Sequence, residues 1–418
     1  MENKKDPEST PFEIDTMRKK VVIIGHGYTS RLAVIRSVAQ MGCEVTVVVM
    51  AGNKKHSEKL DTKKPIDCYS KYVDRFLFCY FRDEEGLIRL LLSQCVDSKQ
   101  KVVIFPDNDF ASAVIDRHQD ELKEHFYFPH IHHTTGAVVE WMNKEKQKEL
   151  ARSMGLTVSM SHTVSIMDSQ YQLPDGINYP CFIKPLASIV GGKRILRRCD
   201  TEDELRGVLD YAVDMFGSID VLVEDFTEIE KEYAVVGFSD GKEVVIPGVI
   251  EIQTMTHGGH FGVACIGKVS PIDGFEDLIA QFKQLVLQVG YTGVFDIDFW
   301  MDKGQYYFGE LNLRIGGSAY AIYKLGVNLP AMFVKSVSGD SIADMQKVVE
   351  SESTFINERM CLDDWYTGYM KTEEYHRLLN STDISFIRDV EDNAPWRAYK
   401  AEYVIRKIKR IVKSMIGR

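Results

Sequence analysis

The sequence lacks the features of several protein classes. No apolar run in its 418 residues approaches the roughly 18 residues of a membrane span. Its eight cysteines (43, 68, 79, 95, 181, 199, 265 and 361) include no CxxC pair and no Cys/His cluster, which argues against a zinc framework. Positive charge is short: 51 Lys and Arg against 61 Asp and Glu give a net charge of −10. General nucleic-acid binding needs a basic surface and is not expected. The stretch MENKKDPESTPFEIDTMRKK holds no apolar segment of the export-signal kind, so with unpaired thiols the cytoplasm is the expected location. What remains is an ordinary soluble composition, 44% hydrophobic and 27% charged, in a length that suits two or three domains.

Residues 1–17 read as a loose tail. KKVVIIGHGYTSRLAVIRSVAQMGCEVTVVV then runs strand, glycine turn, helix, strand: Val21–Ile24 and Val45–Val49 are buried parallel-type runs, and Leu32, Ile35, Val38 and Ala39 recur at helical spacing. KVVIFPDND (101–109) adds a strand ending in a polar loop, so a Rossmann-like βαβ domain is expected over 18–133. NKEKQKELARSMG predicts a helix ended by Gly155, and YPCFIKPLASIVGGKRILRR (179–198) a strand, glycine loop and strand. Thr201 and Glu204 form a capping box that opens a helix. A chain of strands with an Asp240–Gly241 hairpin follows, then the amphipathic helix GFEDLIAQFKQLVLQVG. Residues 340–418 read as mainly helical.

FDIDFWMDKGQYYFGELNLRIGG (295–317) reads as a hairpin with acids where a core is expected. A three-residue turn, Asp302-Lys303-Gly304, pairs Met301 with Gln305, Asp298 with Phe308 and Asp296 with Glu310. Alternation then places Asp296, Asp298, Glu310, Asn312 and Arg314 on one face. Carboxylates crowded in a partly dry site resist ionising together, and a hard divalent cation removes that conflict. Carboxylates plus an amide oxygen suit Mg²⁺ carrying a nucleotide, and Arg314 suits its phosphoryl oxygens.

ELNLRIGG resembles the E-[IVM]-N-x-R signature of the ATP-grasp superfamily, whose ligases activate a carboxylate as an acyl phosphate. Other parts stand in the family's order. Lys144 lies 11 residues before Gly155 and resembles the first nucleotide lysine, with Asn143 in place of the usual Asp. Lys184 in YPCFIKP resembles the second, and SIVGGKR, with Gly191 and Gly192, the loop over the phosphates. VLVEDFTE resembles the adenine-holding strand, with Glu224, Asp225 and Phe226, and Glu232 matches the ribose acid. Asp298 lies 12 residues before Glu310, a spacing found between the family's two metal acids, which favours it over Asp296. The glycine loop is not a Walker A sequence, and GHGYTS departs from GxGxxG at Ser30. GHGYTSRLAVIRSV, FPDND and NLRIGGSAYAIYKLGVNLP look most like the carboxylate–amine ligase branch that includes D-aspartate ligase.

The resemblance implies an α/β and α+β protein: a Rossmann-like pre-ATP-grasp domain (18–133), a two-lobed ATP-grasp domain (134–339, small lobe about 157–225) and a helical C-terminal extension (340–418). It implies an ADP-forming carboxylate–amine ligase using ATP and Mg²⁺ or Mn²⁺, with two ions. Lys144, Lys184 and Arg314 would share phosphate charge, while Asp298, Glu310 and Asn312 hold metal. The backbone of Gly316, Gly317 and Ser318 would receive an anionic group, and the loop carrying His257 and His260 would set acceptor specificity. The competing readings are a nucleotide-binding regulator without turnover and an NAD-dependent oxidoreductase built on GHGYTS. The partners expected are a small-molecule carboxylate and amine, not nucleic acid. In AEYVIRKIKRIVKSMIGR, residues Val404, Ile405, Ile408, Ile411, Val412, Met415 and Ile416 form one stripe among Lys and Arg. Packing of that stripe on the protein body is expected over its alternative, a peripheral contact with an anionic membrane.

Overall fold

The computed structural model describes residues 18–26, 28–54, 57–187, 189, 193–257 and 263–415. The tail 1–17, Gly191, Gly192, His260 and Ile416 lie outside them.

The first unit interleaves strands β1 (Lys20–Gly25), β2 (Glu44–Ala51), β3 (Arg75–Tyr80), β4 (Val102–Pro106) and β5 (Phe126–Tyr127) with helices α1 (Tyr28–Ala39), α2 (Glu84–Gln94), α3 (Asp109–Arg117) and α4 (Gln119–Leu122). Its sheet is parallel, in the order β3-β2-β1-β4-β5. Near-continuous runs such as VVIIG and VVIFP bury on both faces, as a sheet covered on two sides requires. Strand order reverses at β1/β4, which gathers the loops after both strands at one edge.

A short β6 (His130–Ile131) and helices α5 (Ala137–Trp141) and α6 (Lys144–Ser153) lead to a four-stranded antiparallel sheet. It contains β7 (Ser161–Ile166), β8 (Cys181–Pro185), β9 (Arg197–Cys199) and β10 (Ile219–Asp225), with α7 (Glu202–Phe216) against it.

The large sheet follows, built from β11 (Lys231–Asp240), β12 (Val244–Val245), β13 (Val249–Met255), β14 (Ala264–Ser270), β15 (Tyr291–Asp302) and β16 (Gln305–Asn312). Helix α8 (Glu276–Val289) precedes β15, and α9 (Ala319–Lys324) and α10 (Leu329–Val337) follow β16. The tail of the chain holds β17 (Ser353–Ile356), α11 (Glu358–Thr367), α12 (Thr372–Ser381), β18 (Ile384–Ser385) and α13 (Ala394–Met415). This segment also adds two short strands to the large sheet, where β17 pairs with β14 and β18 with β17.

Period-2 alternation along β15 explains the site's position. Phe295, Ile297 and Phe299 bury with Phe282 of α8, while Val294 joins Ala234, Val236 and Ile250 in the core shared with the first unit. Asp296 and Asp298 continue that second face where its apolar covering ends.

Helix α13 overturns the expectation that its apolar stripe packs on the body. Val404, Ile405, Ile408 and Val412 are about half exposed. The arginines turn inward instead. Arg406 ion-pairs with Asp363 and Glu402, and Arg410 donates to the carbonyl of Trp365 at 2.7 Å. Stacking of Tyr403 on Tyr375 of α12, and donation from the Tyr399 hydroxyl to the Glu358 carbonyl at 2.8 Å, fix the helix by its aromatic edge.

Candidate functional site

The hairpin register differs from its sequence reading at both ends. The turn is the two-residue Lys303-Gly304, at φ 48° and 76°, so Asp302 rather than Met301 faces Gln305. A bulge at Gly309 then takes up one residue. Phe299 pairs with Phe308 inside the core, whereas Asp298 pairs with Glu310 and Asp296 with Asn312. Without the bulge Phe308 would share the face of Glu310. A Cβ at Gly309 would lie 2.8 Å from both the Asp298 carbonyl oxygen and the Trp300 ring, so the bulge leaves no room for a side chain.

Asn312, Arg314 and Glu310 on this face are each partnered, whereas the buried Trp300 indole N–H has no partner among the described residues. Asn312 donates from Nδ2 to Asp298 Oδ2 at 3.0 Å and accepts from Arg314 at 3.2 Å. Arg314 Nε reaches Asp109 Oδ1, 3.1 Å away at the start of α3, which ties the hairpin to the first unit. Lys144 Nζ lies 2.5 Å from Glu310 Oε2. Burial pushes the Glu310 carboxyl up, but Lys144, Lys184 and Arg314 outweigh it and hold the group at about 2. Asp298 goes the other way. Burial, with Asp296, Glu310 and Glu232 around it, drives its carboxyl well above the usual range. Burial alone raises Glu232, which sits beside Trp300 in the β11–β15 ladder on the Asp298 face.

Among the described residues, no group of three His, Cys, Asp or Glu side chains is placed to hold a metal. The donor set still fits a hard cation. The excess negative charge that raises Asp298 is what such an ion relieves, and two carboxylates with an amide oxygen leave positions for phosphate oxygens.

A second charged cluster lies across the four-stranded sheet. Glu224 on β10 is buried, with Lys184 of β8 at 2.7 Å from Oε2 and Lys148 of α6 at 2.5 Å from Oε1. Lys148 is fully buried and was not anticipated from the sequence. Its signal was its place four residues after Lys144, on the same face of α6. Gln147 was missed as well. Its side chain donates to the Leu311 carbonyl and accepts from the Leu311 N–H, both at 2.8 Å, which clamps α6 to the strand carrying Glu310 and Asn312. Asn143 caps α6 by accepting from the N–H of Lys146, and the Lys144 N–H donates to Leu186 just past β8.

The other candidates lie as follows. Asp225 accepts from Asn178, and the N–H of Phe226 donates to Pro180. Gly316 abuts Asp296, whose Oδ2 would lie 1.8 Å from an added Cβ. Gly317 faces Thr29 of α1, and Ser318 caps the six-residue α9 without a side-chain bond. His257 is not brought to the acids by any contact: its ring bonds Asp364 and stacks on Tyr369.

Residues 143–344 match the family model described as carbamoyl-phosphate synthase L chain, ATP binding domain. The carbamoyl phosphate synthase large chain of Gemmatimonas aurantiaca is 27% identical over 209 residues, 49% of this chain and 19% of that one. The chain spans about a fifth of the length of such curated relatives. Among solved structures, the L-amino acid ligase from Bacillus licheniformis superposes with a TM-score of 0.58 at 17% identity, covering 81% of this chain and 79% of that one. N5-carboxyaminoimidazole synthetase from Staphylococcus aureus, solved with ADP, gives 0.59 at 18% identity and covers 85% and 86%.

Proposed function

We propose that the chain is an ATP-grasp enzyme, a reading supported by the match of residues 143–344 and by the shared fold, and that it is an ADP-forming ligase joining a carboxylate to an amine. One observation carries the reading: Asp298 pairs with Glu310 across β15 and β16 and accepts from Asn312 on the same face, with Lys144 on Glu310 and Arg314 on Asn312.

In this reading a substrate carboxylate oxygen attacks the γ-phosphorus of ATP, the bond to the β-phosphate oxygen breaks, and ADP leaves. The amine then attacks the acyl carbon, the acyl–phosphate bond breaks, and the nitrogen loses a proton. Positioning and charge neutralisation supply most of the catalysis. Asp298, Glu310 and Asn312 would hold Mg²⁺ or Mn²⁺, two ions in all, whose chemistry is to neutralise phosphate charge. Lys144, Lys184 and Arg314 would take phosphoryl oxygens. Glu224, Asp225 and Phe226 would line the adenine side and Glu232 the ribose side.

ADP formation from Mg²⁺–ATP tests this, with pooled amino acids, dipeptides and small carboxylates offered with and without amines. Wild type should form ADP with one pool, and Glu310→Gln should lose about a hundredfold or more. A fully active Glu310→Gln enzyme removes the metal assignment. ATP binding without ADP from any pool favours the regulator.

The exposed face of α13 supports a peripheral contact with an anionic membrane. Helix α13 carries seven basic residues and one acidic in a chain of net charge −10, and no helix among the described residues is long and apolar enough to cross a bilayer. Salt-sensitive flotation with anionic vesicles is expected, and a concentration-dependent dimer with no vesicle binding would replace this reading.

A further inference from the structure

A cavity of about 1060 Å³ lies between α13 and the edge of the parallel sheet where β1 and β2 end. It is at the upper end of the size of small-molecule sites, and far larger than a free amino acid needs. Val49, Met50 and Ile66 form part of its wall on one side and Ile405 on the other.

Its charge is the reverse of the chain's. Seven Lys and Arg side chains line it against two acids, Asp61 and Glu402. Three of the seven are already held by carboxylates: Arg31 by Asp67, and Arg359 and Arg406 by Asp363 and Glu402. The other four, Lys63, Lys64, Arg397 and Lys409, make no ion pair among the described residues. Lys63 and Lys64 come from the loop after β2, Arg397 and Lys409 from α13, so like charges face one another across the space. Lys63, Arg397 and Lys409 are exposed and Lys64 Nζ lies over the Tyr69 and Phe76 rings, so water screens their repulsion and leaves these cations available to an anion entering from solvent.

A short relay of contacts links the cavity to the face of Arg314. Arg314 bonds Asp109; the next residue back, Asn108, lies 3.1 Å from His26 Nδ1, and His26 lines the cavity.

We infer that this cavity binds a phosphate-bearing anion, and that it holds the distal part of the acid substrate. The second half of that statement rests on the ligase reading; the first does not. The phosphate belongs either to a soluble substrate or to a lipid headgroup, since Ile405 belongs both to the cavity wall and to the exposed face of α13.

Calorimetric titration of the full chain with inorganic pyrophosphate tests the site. Arg397→Ala/Lys409→Ala should weaken binding by about tenfold or more, as should Lys63→Ala/Lys64→Ala on the opposite wall. Titrated with the nucleotide site filled by saturating ADP, the two cavity variants should show the same loss. Wild-type protein that does not bind pyrophosphate, cavity variants that bind it normally, or loss on Lys184→Ala alone would overturn the site. ADP formation by wild type alongside unaffected cavity variants would leave the ligase standing and remove only this inference. Vesicles of phosphatidylcholine with phosphatidylglycerol separate the sources. Release of bound vesicles by pyrophosphate assigns the cavity to a lipid phosphate; pyrophosphate binding without such release assigns it to a soluble one.

Discussion

Lys148 Nζ lies 2.5 Å from Glu224 Oε1, and both side chains are almost wholly buried. Lys184 holds the other oxygen, so one carboxylate bridges a helix lysine and a strand lysine. Burial favours the neutral form of Lys148, and Glu224 opposes that. Removing Lys148 leaves Glu224 with Lys184 alone and draws Lys184 further onto it. Lys148→Met should therefore cost about 1–3 kcal/mol in urea denaturation, because the buried Glu224 carboxylate loses one of its two lysines. It should also raise the KM for ATP. The double variant with Glu224→Gln should lose less than the sum of the two. Additive losses would mean that the pair does not act as a unit.

Gly309 sets which residues of β16 face the site. Gly309→Ala puts a Cβ 2.8 Å from a backbone oxygen of β15, so the strands must shift at Asp298. We expect a stability loss of about 1–3 kcal/mol from overpacking, together with a kcat loss well beyond what the folded fraction explains. An unchanged kcat in the folded fraction would show that the bulge serves packing only.

How much of this was legible follows from the range of each interaction. Alternation along one hairpin is local, so the shared face of Asp296, Asp298, Glu310 and Asn312 could be read directly. The exact partners could not, because a glycine inside a strand such as Gly309 is compatible with a bulge but does not fix that the register shifts there. Helix α6 buries Lys144, Gln147 and Lys148 beside Ala151, and hydrophobic periodicity cannot detect a buried face made of polar side chains. The partner of Arg314 stands 205 residues away in another unit. At α13 the pattern gave an amphipathic helix, but which face the body covers depends on Asp363, Glu402 and the carbonyl of Trp365, none of which enters a hydrophobic stripe.

Asp109 is argued to act through Arg314, as a positioning residue. Asp109→Asn keeps the shape and removes the charge that holds the guanidinium. Since Asp109 reaches neither Lys144 nor Lys184 by any ion pair, kcat should fall about tenfold while ATP affinity stays near wild type. Equal losses in kcat and in nucleotide binding would instead indicate collapse of the interface between the first unit and the hairpin.

Asp389 fastens the helix that follows Gly316–Ser318. Its Oδ2 accepts from the Tyr320 hydroxyl at 2.6 Å and from Lys324 at 3.2 Å. Burial raises the Asp389 carboxyl, but Tyr320, Arg36 and Lys324 outweigh it and hold the group down at about 2. A carboxyl depressed in the folded state stabilises above its unfolded value, near pH 4, and loses that contribution as the pH falls toward 2. Asp389→Asn should thus cost about 1 kcal/mol at neutral pH, the value that the shift implies after discounting for solvent screening of a half-buried group. The gap between wild type and variant should close progressively between pH 4 and pH 2. Urea midpoints across that range decide it: a gap that stays constant down to pH 2 would assign the effect to hydrogen-bond geometry and not to charge. Because α9 carries the Gly316–Ser318 turn, the same variant should raise the KM for the acid substrate more than the KM for ATP.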